Sequence, residues 1–88
     1  MSYENEPVQL GFNKTCERCP EQYDVYYQGQ KVAYVRLKWG WLTVNIGDEE
    51  IYSHKFDDEW KGEFNGELER TRYLYEVEKA IMGVLNNG

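Results

Sequence analysis

Cys16 and Cys19 form a Cys-x-x-Cys pair, the spacing with which two thiolates grip one side of a zinc ion. His54 is the one imidazole in the chain, so a tetrahedral site would need a carboxylate or a second chain to complete it. A thioredoxin-like dithiol would open a helix after a strand, whereas here Pro20 follows directly and a strand pattern comes next. The plainer reading is a pair of reduced cysteines in a loop, which leaves Cys16, Cys19 and His54 as weak metal candidates. Ser53 precedes His54, but neighbours on a strand point to opposite faces, so the two do not make a nucleophile and its base. A surface or rim histidine is the simpler role.

Carboxylate pairs are the next place to look for chemistry. Asp57-Asp58 and Glu67/Glu69 have the charge to hold a divalent cation, yet no ligand loop of recognisable spacing surrounds them. They read more simply as solvated helix starts. No Gly-x-Ser-x-Gly, phosphate-loop or His-Glu-x-x-His pattern occurs. The expectation is a protein that is not an enzyme and uses no cofactor.

The residues that remain are suited to binding. Tyr26, Tyr34, Arg36, Lys38 and Trp41 combine flat rings with cations, the chemistry of a contact surface or of a base-stacking platform. Their placement depends on residues 31–46, where alternation runs on both sides of Gly40. Ala33, Val35 and Leu37, then Leu42, Val44 and Ile46, share one face; Val32, Tyr34, Arg36, Lys38, Trp41, Thr43 and Asn45 share the other. Gly40 suits the positive φ of a tight reversal between them.

The neighbouring stretches extend this hairpin. Residues 23–28 alternate as well, with Tyr23, Val25 and Tyr27 opposite Asp24, Tyr26 and Gln28, and Gln28-Gly29-Gln30 reads as a turn. Gly47-Asp48-Glu49 is another reversal, followed by a strand over 50–56 of ambiguous facing. Either Ile51 and Ser53 point inward, or Tyr52, His54 and Phe56 do. Residues 8–12 are a short apolar candidate for an edge strand, and 13–22 read as a loop. Residues 57–66 are a charged connector in which Trp60 and Phe64 are candidate packing anchors.

From residue 67 the period becomes helical: Leu74, Val77, Ile81 and Val84 or Leu85 recur every third or fourth position, with Tyr73 and Ala80 on the flank. Asn65 is the expected N-cap, Glu67 and Glu69 suit the positive end of the helix dipole, and Asn86-Asn87-Gly88 is a stop signal. The expected fold is α+β: an antiparallel meander of about four strands with one C-terminal amphipathic helix packed on its aliphatic face. Residues 1–88 are expected to form a single domain, with 1–7 as a flexible arm.

Charge constrains the partner. The chain carries a net charge of −6. Glu4, Glu6, Glu17, Glu21 and Asp24 balance Lys14, Arg18, Lys31, Arg36 and Lys38, so the excess of acid lies in residues 48–88. A duplex-DNA binder would carry the opposite sign. The acidic half either keeps an aromatic-rich domain soluble or faces a basic partner. Eight Tyr and three Trp offset the scarcity of aliphatic residues and imply a thin, aromatic core. No apolar run has the length of a signal peptide or a membrane span, and two cysteines do not make a disulfide scaffold, so the reducing cytoplasm is the expected compartment.

The segment Cys19-Pro20-Glu21-Gln22-Tyr23-Asp24-Val25-Tyr26, followed by Gly29, Val32, Tyr34, Arg36-Leu37 and Gly40, resembles a pattern of small uncharacterised phage and prophage proteins. The likeness covers the middle third of the chain. It implies a phage-type accessory protein, a class in which inhibitors of host enzymes are common. The expected function is non-enzymatic binding that modulates or inhibits a host protein, through the aromatic and basic sheet face or through the acidic surface. Self-contact as a homodimer is included. The alternative is a module for a nucleotide or single-stranded nucleic acid on the same face.

Overall fold

The computed structural model describes residues 10–16 and 20–87. Its elements are β1 (Gly11–Cys16), β2 (Glu21–Tyr27), β3 (Gln30–Lys38), β4 (Trp41–Ile46), β5 (Glu49–Lys55) and α1 (Glu67–Asn87). The strands form one antiparallel sheet in the order β1-β2-β3-β4-β5, a meander in which each strand pairs with its sequence neighbours. The α+β class therefore holds, with five strands among the described residues instead of four. The arm expected over residues 1–7 lies outside them.

The additional strand corrects the reading of residues 13–22 as a loop. β1 pairs Gly11 with Tyr26, Phe12 with Val25 and Lys14 with Tyr23. An edge strand needs only backbone pairing on one side, and Asn13, Lys14 and Thr15 are exposed, so β1 carries no apolar alternation to betray it. β2 likewise begins at Glu21, two positions earlier than its apolar pattern.

The expected aliphatic face is the core. Val25, Ala33, Val35, Leu37, Leu42 and Val44 are buried in one cluster with Tyr23, Phe64, Val77 and Ile81, while Ile46 is partly buried against it. Val77 and Ile81 are the buried residues of α1, and Leu74, Leu85 and Tyr73 pack partly against the same cluster, as the helical period implies.

Two bulges settle what alternation left open. Val25 pairs with Ala33 but Tyr26 with Lys31, which makes Val32 an extra residue on β3 and packs it partly against the core, not on the outer face where alternation put it. Val44 pairs with Tyr52 but Asn45 with Glu50, which makes Ile51 extra on β5. Tyr52 and His54 therefore take the core-facing positions opposite Val44 and Leu42, and Ser53 is exposed. Ile51 still reaches the core because the bulge shifts the parity of the strand beyond it.

Residues 56–66 fold back on the β3–β4 turn. Trp39 (φ 55) and Gly40 (φ 79) are both left-handed, the requirement of a two-residue type I′ hairpin. Gly40 N–H donates to Lys61 O at 2.9 Å, and Phe56 N–H donates to Gly40 O at 2.7 Å. A Cβ on Gly40 would lie 2.8 Å from Asp58 O, so only glycine allows this approach. Phe64 is buried as an anchor, stacked at 6.0 Å on Tyr73, whereas Trp60 remains 73% exposed. Asp58 makes a turn and not the start of a helix: its Oδ1 accepts Trp60 N–H at 2.9 Å. The helix opens one residue later than its expected cap. Gly66 O accepts the first helical bond from Arg70 N–H, and Glu69 reaches back to accept Asn65 N–H at 2.7 Å.

Candidate functional site

β3 and β4 carry most of the expected patch. Tyr34 pairs with Asn45, Arg36 with Thr43 and Lys38 with Trp41. Across β4, Trp41 meets Lys55 and Thr43 meets Ser53. These positions alternate with the buried Val35, Leu37, Leu42 and Val44, so they project from the other side of the sheet. Trp41 is 44% exposed and Arg36 is exposed. Arg36, Lys38 and Trp41, with Trp39, Thr43 and Glu50, border a shallow groove of about 380 Å³.

Tyr26 and Tyr34 stand apart from that groove. The Tyr34 hydroxyl donates to Gln22 Oε1 at 2.8 Å, and Lys31 Nζ lies 5.7 Å from its ring centroid. Lys31 is itself neutralised by Asp24 at 3.0 Å. Tyr34 borders a second hollow of about 280 Å³ with Lys31, Val32 and Asn45. Tyr26 sits opposite Lys31 beyond the bulge and lines neither hollow. The five expected binding residues thus divide into Arg36, Lys38 and Trp41 at one end of the sheet and the two tyrosines towards the other.

Sequence reasoning missed Trp39, Trp60 and Lys55. Trp39 and Trp60 meet edge to face at 5.4 Å, though they belong to different loops, and with Pro20, Lys38 and Gly62 they border a cleft of about 220 Å³. Lys38 Nζ and Lys55 Nζ each lie 6.0 Å from a tryptophan ring centroid, those of Trp39 and Trp41. Among the described residues, Arg36, Lys38 and Lys55 make no ion pair with a carboxylate. The signal in the sequence was a tryptophan in a hairpin turn where Asn or Gly is usual.

A second charged cluster lies on the core side. Glu21 is 2% exposed, the position where its strand alternation would call for an apolar residue. Its carboxylate accepts Arg70 Nε–H at 2.7 Å, Arg70 Nη2–H at 3.3 Å, Phe64 N–H at 3.1 Å and the Tyr23 hydroxyl. Burial alone would raise its pKa. The bonds from Arg70, Tyr23 and Phe64 and the guanidinium charge outweigh that and hold the carboxyl below its ordinary value. Burial and the carboxylate together push the Tyr23 phenol up, so it stays protonated and donating.

A buried carboxylate with a shifted pKa is a reason to suspect catalysis. Here both oxygens are already occupied by protein donors, so the cluster pins β2 to the connector and helix. Lys61, 8% exposed, does the same with Glu69 at 2.9 Å and with the Phe56 ring at 5.2 Å.

Cys16 ends β1, Cys19 lies outside the described residues, and among those described no group of three His, Cys, Asp or Glu side chains is placed to hold a cation. His54 is half-buried on the core side of β5. Its position opposite Leu42 sets it between the rings of Phe56 and Tyr73, at 4.7 and 5.1 Å. No helix among the described residues is long and apolar enough to cross a membrane. Compared with protein-family models, curated proteins and solved structures, the chain matches none of them.

Proposed function

We propose that this chain is a non-enzymatic binding protein that engages a protein partner, a second copy included, through the sheet face opposite its aliphatic core. In this reading α1 lies across the aliphatic face and leaves the face with Tyr34, Arg36, Lys38 and Trp41 for a partner. The observation that carries it is the groove between Arg36, Lys38 and Trp41, where cations that make no ion pair among the described residues flank an exposed indole. Tyr, Trp and Arg are the residue types that most often anchor protein interfaces. The phage-like segment points towards an accessory protein that modulates or inhibits a host protein in the cytoplasm.

The test is native mass spectrometry of the protein isolated from its own host, repeated on sheet-face variants. A second polypeptide or a second copy that is lost on Arg36→Ala and Trp41→Ala supports the reading. A partner that survives both changes and is lost on Glu76→Lys or Glu78→Lys transfers the function to the acidic surface. Glu69 is unsuited to that comparison because it holds Lys61 and the helix start. The second reading, a nucleotide or single-stranded nucleic acid, draws on the cations beside the Trp39 and Trp41 rings. Its ligand would dissociate steeply with salt, whereas an aromatic-anchored protein contact responds weakly.

A further inference from the structure

We propose that two copies of this chain pair through the open edge of β5, antiparallel about a two-fold axis at Ser53, and so join their sheets into one. This surface is the rim of the sheet, separate from the face proposed above for binding, and neither depends on the other.

The backbone supplies the first support. β5 ends the strand order, so one of its sides has no neighbouring strand among the described residues. Phe56 N–H donates to Gly40 O and therefore points towards the β4 side. Backbone groups alternate sides along a strand, which turns those of Ser53 and Lys55 to the open edge. Beyond the ladder with β4, no backbone bond reaches either of them among the described residues. The core also stops short here. Tyr52 and His54 face the same way as Val44 and Leu42, yet they are half-buried where those two are fully buried.

Register identifies the occupant as a second copy. With Ser53 opposite Ser53, two small side chains meet at the axis and Tyr52 opposes His54 on the core side. Lys55 then opposes Glu50 on the outer side, and the bulge makes this match. Ile51 is the extra residue, so Glu50 lies opposite Asn45 on the outer face, as Lys55 lies opposite Trp41. In an unbulged strand Lys55 would oppose Ile51. Symmetry forms each of these pairs twice. Charge on an edge normally blocks self-pairing, but here the charges that meet have opposite signs. Neither Glu50 nor Lys55 makes an ion pair within the chain among the described residues. The other acids around the strand are Asp48, Glu49, Asp57 and, beside Tyr52, Glu76. They oppose association in any register and leave the Glu50–Lys55 pair to choose among registers. β1, the other edge, has Lys14 and no acid between Gly11 and Cys16, so its own copy offers it no opposite charge. A β1–β5 contact would leave an edge open at each end and propagate, whereas β5 on β5 closes after two copies.

The experiment is sedimentation equilibrium of the full chain from micromolar to millimolar concentration, which should show monomer and dimer in exchange. Ser53→Pro removes only an N–H that points out of the sheet. It should weaken the dimer about a hundredfold while the melting temperature of the dilute chain holds. Lys55→Glu and Glu50→Lys should each weaken the dimer about tenfold, because each sets like charges opposite one another at two symmetric points. The double swap should restore it, a rescue that does not depend on how Ser53→Pro folds. A chain that stays monomeric throughout overturns the proposal. So does a dimer indifferent to Ser53→Pro and to the single charge reversals; if Arg36→Ala and Trp41→Ala dissociate that dimer, the sheet-face reading stands and the edge pairing falls. Dissociation on Ser53→Pro without rescue by the charge swap overturns the register, and the proposal with it.

Discussion

On the core side of the sheet, Glu21 and Tyr23 are buried, and the Glu21 carboxylate is bonded to the half-buried Arg70; on the other side, Arg36, Lys38 and Trp41 offer similar chemistry to solvent. Glu21 pairs across the strands with Leu37, and Arg36 with Gln22, so one residue of register separates the two environments. Burial makes an unmet hydrogen bond costly, and at Glu21 every lone pair in reach of the protein has a donor. Arg36 is exposed and Lys38 half-buried, and neither makes an ion pair among the described residues, so solvent can meet that need there. Satisfaction within the chain marks the first cluster as structural, and its absence among the described residues is what the proposed binding role of the second draws on.

The largest effect should come from breaking the core face itself. Leu37→Asp places an unpaired carboxylate at a fully buried position and should unfold the domain, whereas Arg36→Asp next to it should leave the thermal melt nearly unchanged. Circular dichroism melts decide this, and equal melting temperatures for the two variants would mean that the faces are misassigned.

Arg70→Met should cost somewhat less, about 3–5 kcal/mol by urea denaturation, because it strands the Glu21 carboxylate. Adding Glu21→Leu should recover much of that loss, and no such recovery would show that the ion pair itself, not its desolvated carboxylate, sets the stability. Gly40→Ala should rank next, at about 2 kcal/mol, since it meets both a positive φ and the Asp58 carbonyl. Gly29→Ala, with open space at its Cβ, should cost less.

The pH dependence sharpens the same contrast. Glu21 has a folded pKa below its ordinary value of 4.5, so its contribution is complete above that value and is lost as pH falls through the lowered one. Glu69 follows the same direction: burial opposes the shift, but the Lys61 ammonium and Asn65 N–H outweigh it. Acid titration of the melting temperature should therefore show a decline beginning below about pH 4.5, and Glu21→Gln should flatten it.

The smallest effect on stability should accompany the largest effect on binding. Arg36→Ala and Trp41→Ala should each cost a partner about 1–3 kcal/mol, measured by calorimetry, while shifting the melting temperature by only a few degrees.

The sequence by itself determined the elements whose signal is local. Alternation within residues 33–46 assigned both faces of β3 and β4, Gly29, Gly40 and Gly47 marked the reversals, and the three-and-four spacing of Leu74, Val77, Ile81 and Leu85 identified the helix face. Each follows from the fixed geometry of a short stretch of backbone. Only the tertiary structure decided the remainder. β1 is a strand because β2 supplies hydrogen bonds to its backbone, which needs no pattern of its own. The bulge at Ile51 chose the facing of β5, a matter of pairing between strands. Glu21 reads as a surface residue until Arg70, 49 positions away, supplies the donors that make its burial tolerable. Trp39 and Trp60 meet because the connector folds back on Gly40, where the missing side chain lets two backbones touch.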